Sequence, residues 1–156
     1  MVCYTNKHNI PFEIDDEDWE MVKQHKWCTD GLGYVITRID GNLIRLHRFI
    51  LNNPYGKTID HIDGNGMNNK RSNLRVCTQG QNLMNQKPQP NKSSKYKGVR
   101  WHKASNAWSA QIKVNRKSTH LGTFDSESEA AIAYNMAATN LFGSYARLNN
   151  VEEITI

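Results

Sequence analysis

The chain is short of cysteine, and the cysteines it has are not placed to work together. Three occur in 156 residues, at Cys3, Cys28 and Cys77, and none forms a C-x-x-C pair. That excludes a disulfide framework and a zinc ribbon, and it fits a reducing, cytoplasmic setting. No run of 18 apolar residues exists, so no membrane-spanning helix is expected. The first twenty residues lack an apolar h-region and turn acidic, which is not the pattern of a signal peptide. Acidic side chains almost vanish from the middle of the chain. Residues 41–120 hold 15 basic and only two acidic residues, Asp60 and Asp63, for a charge of +13, while the segments on either side each carry −4.

A block of 80 residues at +13 is an electrostatic footprint for a polyanion. Tyr96, Trp101 and Trp108 are interleaved with its lysines, as on surfaces that bind nucleic acid. Hydrophobic residues make up 38% of the chain, enough to fold but more suited to small cores than to one large one. Residues 87–94 contain Pro88 and Pro90 and no bulky apolar side chain, and they read as a linker. It separates a module at 1–86 from one at 95–150. The mixture of elements expected in both gives an α+β class.

In the first module, Asp15 or Asp16 is placed to cap a helix running to about His25, with Trp19 and Val22 on one face. A strand is expected over 33–38, a turn at Asp40-Gly41 and a returning strand over 42–45. A short helix should start at Leu46 and close before Pro54. Trp19, Trp27 and Tyr34 are expected in the core. In the second module, strands are expected over 96–102, 107–114 and 119–124. Ser126 and Glu129 then form a capping box. The following helix should run to about Leu141, with Ala130, Ala131, Tyr134, Ala137 and Ala138 on its packing face, and Gly143 as a left-handed cap. The face of the sheet away from this helix holds most of the basic residues.

Chemistry concentrates between Thr58 and Asn82. A strand ends in Asp60-His61, a Gly/Asn-rich loop follows, a second short strand spans 73–77, and a helix opens near Thr78 or Gln79. The end of the first strand and the first turns of the helix can face each other. Asp60 and Asn82 then offer two hard oxygen ligands, suited to Mg²⁺ with open positions for water and phosphate. His61 is the adjacent imidazole, able to take a proton near neutral pH. Asp63 is either a spare ligand or, more simply, part of an Asp-Gly turn. His47 either lines this site, contacts phosphate or packs in the core.

Residues 58–85 resemble the HNH, or ββα-metal, nuclease motif of phage and intron homing endonucleases. The likeness rests on Asp60-His61, Asp63-Gly64-Asn65, Asn68-Asn69, Ser72-Asn73-Leu74-Arg75 and Asn82, with Leu46-His47-Arg48 upstream. It implies Asp60 and Asn82 as metal ligands, His61 as general base and Asn73 as the residue that braces the loop. It also implies one Mg²⁺ or Mn²⁺ per chain, and products with 5′-phosphate and 3′-hydroxyl ends.

Residues 95–149 resemble the plant ethylene-response-factor type of DNA-binding domain. Tyr96-Lys97-Gly98-Val99-Arg100-Trp101, Trp108 to Ile112, Leu121-Gly122-Thr123-Phe124 and Glu129 to Tyr134 carry the likeness. It implies a three-stranded sheet laid into the major groove, with Lys97, Arg100, Gln111, Lys113 and His120 facing DNA. Gln111 stands where an acid is usual, and His120 where a tryptophan is usual, so the plant target sequence does not transfer. Lys103, Arg116 and Lys117 belong to turns and suit phosphate. Trp101 is a candidate for packing on sugar.

Together these features describe a site-specific, metal-dependent endonuclease of the homing type acting on double-stranded DNA. It takes no small-molecule substrate. One motif per chain implies a monomer that nicks one strand. Two alternatives share the composition: a DNA-binding regulator with a silent nuclease module, and a nonspecific nuclease.

Overall fold

The structure is a computed structural model that describes residues 1–52, 57–88 and 93–151. Pro54 and residues 89–92 of the expected linker lie outside the described residues. The architecture is mixed α+β, in two compact units, Met1–Asn82 and Leu83–Ile156.

The first unit opens with a hairpin that sequence patterning did not anticipate, β1 (Val2–Tyr4) against β2 (Pro11–Glu13). Three residues per strand are too few for alternation to register as a pattern, although Cys3 and Phe12 pair in the register and are both buried. The expected helix from Asp15 is shorter than its apolar spacing suggested. A 3-10 turn at Asp16–Asp18 leads into α1 (Trp19–Val22), which stops there. The Val22 carbonyl accepts the Trp27 indole N–H at 2.8 Å, and the chain leaves the helix to seat that ring. Val22 and Trp27 are buried as expected, whereas Trp19 lies on the surface, 38% exposed. The short helix leaves Trp19 no neighbouring turn to pack beneath.

Strands β3 (Cys28–Thr29), β4 (Val35–Ile39) and β5 (Asn42–Arg45) form an antiparallel sheet in that order. Asp40 and Gly41 both have positive φ, the requirement of the two-residue hairpin turn expected there. Helix α2 (Leu46–Ile50) follows directly. Then come β6 (Thr58–His61), β7 (Leu74–Cys77) and α3 (Gln79–Met84). Strand β7 starts one residue later than expected because Asn73 closes a 3-10 turn, Arg71–Asn73. Phe12, Ile14, Val35, Leu46, Ile59 and Leu74 share one core, so β6 and β7 rest on the same apolar mass as the upstream sheet.

In the second unit, β8 (Val99–His102), β9 (Ala107–Val114) and β10 (Lys117–Phe124) make an antiparallel sheet with β9 in the centre. Strand β8 begins later than expected. Gly98 at φ +78° breaks the extended run, and the Lys97 backbone is claimed by Asn149, which accepts its N–H at 2.6 Å and donates to its carbonyl at 3.0 Å. Strand β10 begins earlier than expected, because Asn115 and Arg116 form a tight positive-φ turn. Helix α4 (Glu127–Phe142) packs on the sheet and has the expected capping box: Ser126 Oγ accepts the Glu129 N–H, and the Glu129 carboxylate accepts the Ser126 N–H. Ala130, Ala131 and Ala138 are fully buried, which lets the helix backbone lie close to the strands. Gly143 does have positive φ, but its ψ of −128° is not that of a left-handed helical cap, and the chain passes into a 3-10 turn, Gly143–Tyr145.

Candidate active site and nucleic-acid interface

Asp60 and His61 end β6, and alternation along the strand sends them to opposite faces of the β6–β7 hairpin. Asp60 stands opposite Arg75 in the register, on the face shared with Thr58 and Cys77. Its carboxylate is 5% exposed, and Oδ2 accepts from Arg75 Nε at 2.8 Å and Nη2 at 2.6 Å. A buried carboxylate is strongly disfavoured without such a partner, and Arg75 supplies it. Arg75 belongs to the Ser72-Asn73-Leu74-Arg75 motif by its sequence, and only the strand register gives it this role. Opposite positions on neighbouring strands are the signal that would have found it.

His61 faces the core side. Its Nε2 lies 3.3 Å from Oδ1 of Asn69, a fully buried residue. The His47 ring stands edge-on to it at 4.9 Å, and the Tyr34 ring lies at 5.8 Å. Of the openings left for His47, the structure selects burial beside the site: it is 4% exposed on α2. Burial pushes the His47 pKa down to about 3, helped by the nearby His61, Arg45 and Arg48. Burial also lowers that of His61, against smaller opposing pulls from Asn69, Asp63 and Asp60. Both rings are therefore neutral at pH 7. Tyr34 is half-buried instead of a full core residue, with Arg45 stacked 4.7 Å over its ring.

The loop between β6 and β7 is organised by Asn73. Its Oδ1 accepts the Asp63 N–H at 3.0 Å, its Nδ2 donates to Asp63 Oδ1 and to the Asn68 carbonyl, and its own carbonyl accepts from Ile62. Asp63 acts as a turn former: its carboxylate also accepts from the Asn65 N–H and the Asn68 side chain. Burial opposes its ionisation, but these bonds outweigh that and hold its pKa below the ordinary value.

Asn82 is half-buried on α3, its N–H bonded to the Thr78 carbonyl. The Cys77 thiol ends β7 on the hairpin face shared with Asp60. Burial pushes that thiol's pKa up first, the Asp60 charge raises it further, and a bond from the Asn82 backbone opposes.

The acidic run upstream has a different use. The carboxylates of Asp15, Glu17 and Asp18 gather within 4.8 Å of one another, but Arg71 reaches all three residues. It pairs with Asp18 at 2.6 Å and Glu17 at 3.2 Å, and its N–H donates to Asp15. This cluster anchors the end of the loop.

In the second unit the register sorts the candidate DNA contacts by face. Val99, Ala110 and Ile112 turn toward α4. Arg100 pairs with Ser109, and His120 with Gln111, so Arg100, Gln111, Lys113 and His120 share the opposite face. Lys103 and Arg116 sit in the strand connections, and Lys117 starts β10; all three are exposed. Two expectations change. Trp101 pairs with Trp108, ring to ring at 5.1 Å, on the helix side of the sheet and not with Arg100. Lys97 precedes the strand and is turned inward, its Nζ donating to the Met84 carbonyl at 2.5 Å. Burial, then Arg147, lowers its pKa to about 8. No described helix is long and apolar enough to cross a membrane.

These features define a two-unit α+β protein with a buried Asp-His hairpin and a basic three-stranded sheet. Residues 46–84 match the HNH endonuclease family model, and residues 94–144 match the AP2 domain model. An uncharacterized HNH endonuclease of Acanthamoeba polyphaga mimivirus is 34% identical over 142 residues, 87% of this chain and 73% of that protein. Protein 3.8 of Escherichia phage T7 is 32% identical over 94 residues, 60% of this chain and 77% of that protein. An ethylene-responsive transcription factor of Arabidopsis thaliana is 50% identical over 56 residues, 35% of this chain and 30% of its own length. No solved structure gives a significant match. The chain belongs to the HNH endonuclease family and carries an AP2 domain.

Proposed function

We propose that the protein is a site-specific, divalent-metal-dependent DNA endonuclease of the homing type, which nicks one strand as a monomer. The observation behind this reading is the His61 imidazole, set against Asn69 at the end of β6, one residue after Asp60 in the chain and inside a loop tied by Asn73. The donor types suit a hard cation: a carboxylate oxygen from Asp60, which is buried, and an amide oxygen from Asn82. A bound Mg²⁺ or Mn²⁺ would supply stabilisation of negative charge on the scissile phosphate and the leaving oxygen.

The chain's own residues supply the rest. His61, neutral at pH 7, takes the proton of the attacking water as the water oxygen bonds to phosphorus. The bond from phosphorus to the 3′ oxygen breaks and that oxygen takes a proton from solvent water, leaving 5′-phosphate and 3′-hydroxyl ends. Asn73 keeps the loop, and with it the imidazole, in place. Arg75 keeps Asp60 oriented through two hydrogen bonds to its Oδ2. The face bearing Arg100, Gln111, Lys113 and His120 reads double-stranded DNA: arginine pairs well with guanine and glutamine with adenine, while lysine meets phosphate.

A second reading, a silent DNA-binding regulator, is favoured by one observation: the Asp60 charge is already balanced by Arg75. Cleavage distinguishes the two. Supercoiled plasmid carrying the target should relax in Mg²⁺ and stay intact in EDTA, and His61→Ala should slow nicking by about 10²–10⁴-fold. Nicking at the wild-type rate by His61→Ala would remove the proposed base.

A further inference from the structure

We infer that Asn69 is a positioning residue that decides which nitrogen of His61 carries the proton. Asn69 is fully buried, and its amide meets two groups of different character. On one side, Nδ2 donates to the Gly66 carbonyl at 3.2 Å. A carbonyl only accepts, so the amide NH₂ must face it, and a flipped amide would set two oxygens against each other. Oδ1 is therefore the atom 3.3 Å from His61 Nε2, and an amide oxygen also only accepts. The neutral ring must then carry its proton on Nε2 and its lone pair on Nδ1.

The rest of the loop keeps this amide from moving. The Asn69 N–H donates to the Glu13 carbonyl at 2.8 Å, and the Glu13 N–H donates to the Met67 carbonyl at 2.8 Å, so strand β2 holds both sides of the turn. At Gly66 a side chain would collide with the Gly33 carbonyl and the Tyr34 ring, so the loop is seated against the β3–β4 connection at its closest approach. The amide orientation is thus set by groups away from the histidine, and the histidine conforms to it. Nδ1 becomes the proton acceptor of the general base. This last step rests on the nuclease reading; the assignment of the proton does not.

The experiment is long-range ¹H–¹⁵N NMR on the full chain with ¹⁵N-labelled histidine, at a pH where the His61 ring is neutral. The wild-type spectrum should show Nε2 in the protonated, pyrrole-like range and Nδ1 in the pyridine-like range. Asn69→Leu should mix the tautomers and lower kcat for nicking roughly 10–100-fold, with KM for DNA unchanged. A wild-type proton on Nδ1, which needs no variant to detect, would overturn the inference. So would a pure Nε2–H tautomer in Asn69→Leu. A wild-type chain with the expected spectrum and no cleavage would support the proton assignment and overturn only the catalytic step.

Discussion

Arg75 reaches across the β6–β7 ladder to Asp60 and places two of its nitrogens within 2.8 Å of one carboxylate oxygen. The two residues are opposite each other in the register, and the carboxylate is almost wholly out of solvent. Removing one partner of such a pair strands the other charge. Arg75→Met should therefore cost about 3 kcal/mol in urea unfolding. Adding Asp60→Asn should recover much of that loss, because no buried charge then remains. An additive double variant would show that the pair does not act as a unit.

Stability should fall on mild acidification, and His47 sets the sign. Its folded pKa is about 3, below the ordinary 6.5. Above pH 6.5 the ring is neutral in both states and its full contribution is present. As pH drops below 6.5, the unfolded chain takes up a proton that the folded ring refuses. Stability then declines by about 1.4 kcal/mol per pH unit, until pH approaches 3. His61 adds in the same direction. Asp63, held below the ordinary 3.8, contributes its own loss only at lower pH. Urea midpoints between pH 4.5 and 7 should follow this slope, and His47→Gln should flatten it.

The sheet face makes a prediction about salt. Against a duplex selected from a random library, Lys113→Ala should lower the slope of log affinity on log salt by about 1. Arg100→Ala should cost about 1–3 kcal/mol against the selected site and much less against random DNA. Lys97→Ala should leave the salt slope unchanged, because its ammonium is spent on the Met84 carbonyl. Anisotropy titrations at several salt concentrations measure all three. A Lys97→Ala slope that changes as much as that of Lys113→Ala would contradict the inward placement.

Gly98 leaves no room for a side chain between the sheet and α4. A Cβ there would fall on the Tyr134 ring, and the backbone sits at φ +78°. Gly98→Ala should destabilise this unit by about 3 kcal/mol, visible in a thermal melt followed by circular dichroism. DNA affinity should fall with it at temperatures above the lowered midpoint. An unchanged melt would mean that helix and sheet are not in such close contact.

Much of this was legible in the residues, and for identifiable reasons. The Asp40-Gly41 turn, the Ser126–Glu129 capping box and the alanine face of α4 depend on neighbours within a few positions, so local chemistry suffices to read them. Several of the readings that needed revision turned on partners further along the chain. Helix α1 ends where a tryptophan five residues on takes its carbonyl. Strand β8 starts late because Asn149, some fifty residues away, holds the Lys97 backbone. Trp101 and Lys97 have the composition of a nucleic-acid surface, but the register and a buried carbonyl place them elsewhere.

The sequence by itself determined the class of chemistry and the two-part plan: an Asp-His pair, loop asparagines and a helix asparagine at set intervals, then a basic sheet. Residue types and spacing carry that information because hard oxygen donors, an imidazole and cationic side chains have few substitutes. Only the tertiary structure decided which partner each group takes. Asp60 is matched to Arg75 by strand register, and His61 to Asn69 by a loop folded against β2 and Tyr34. Hydrogen-bond direction inside a desolvated loop depends on every group that surrounds it, and those groups come from segments far apart in the chain.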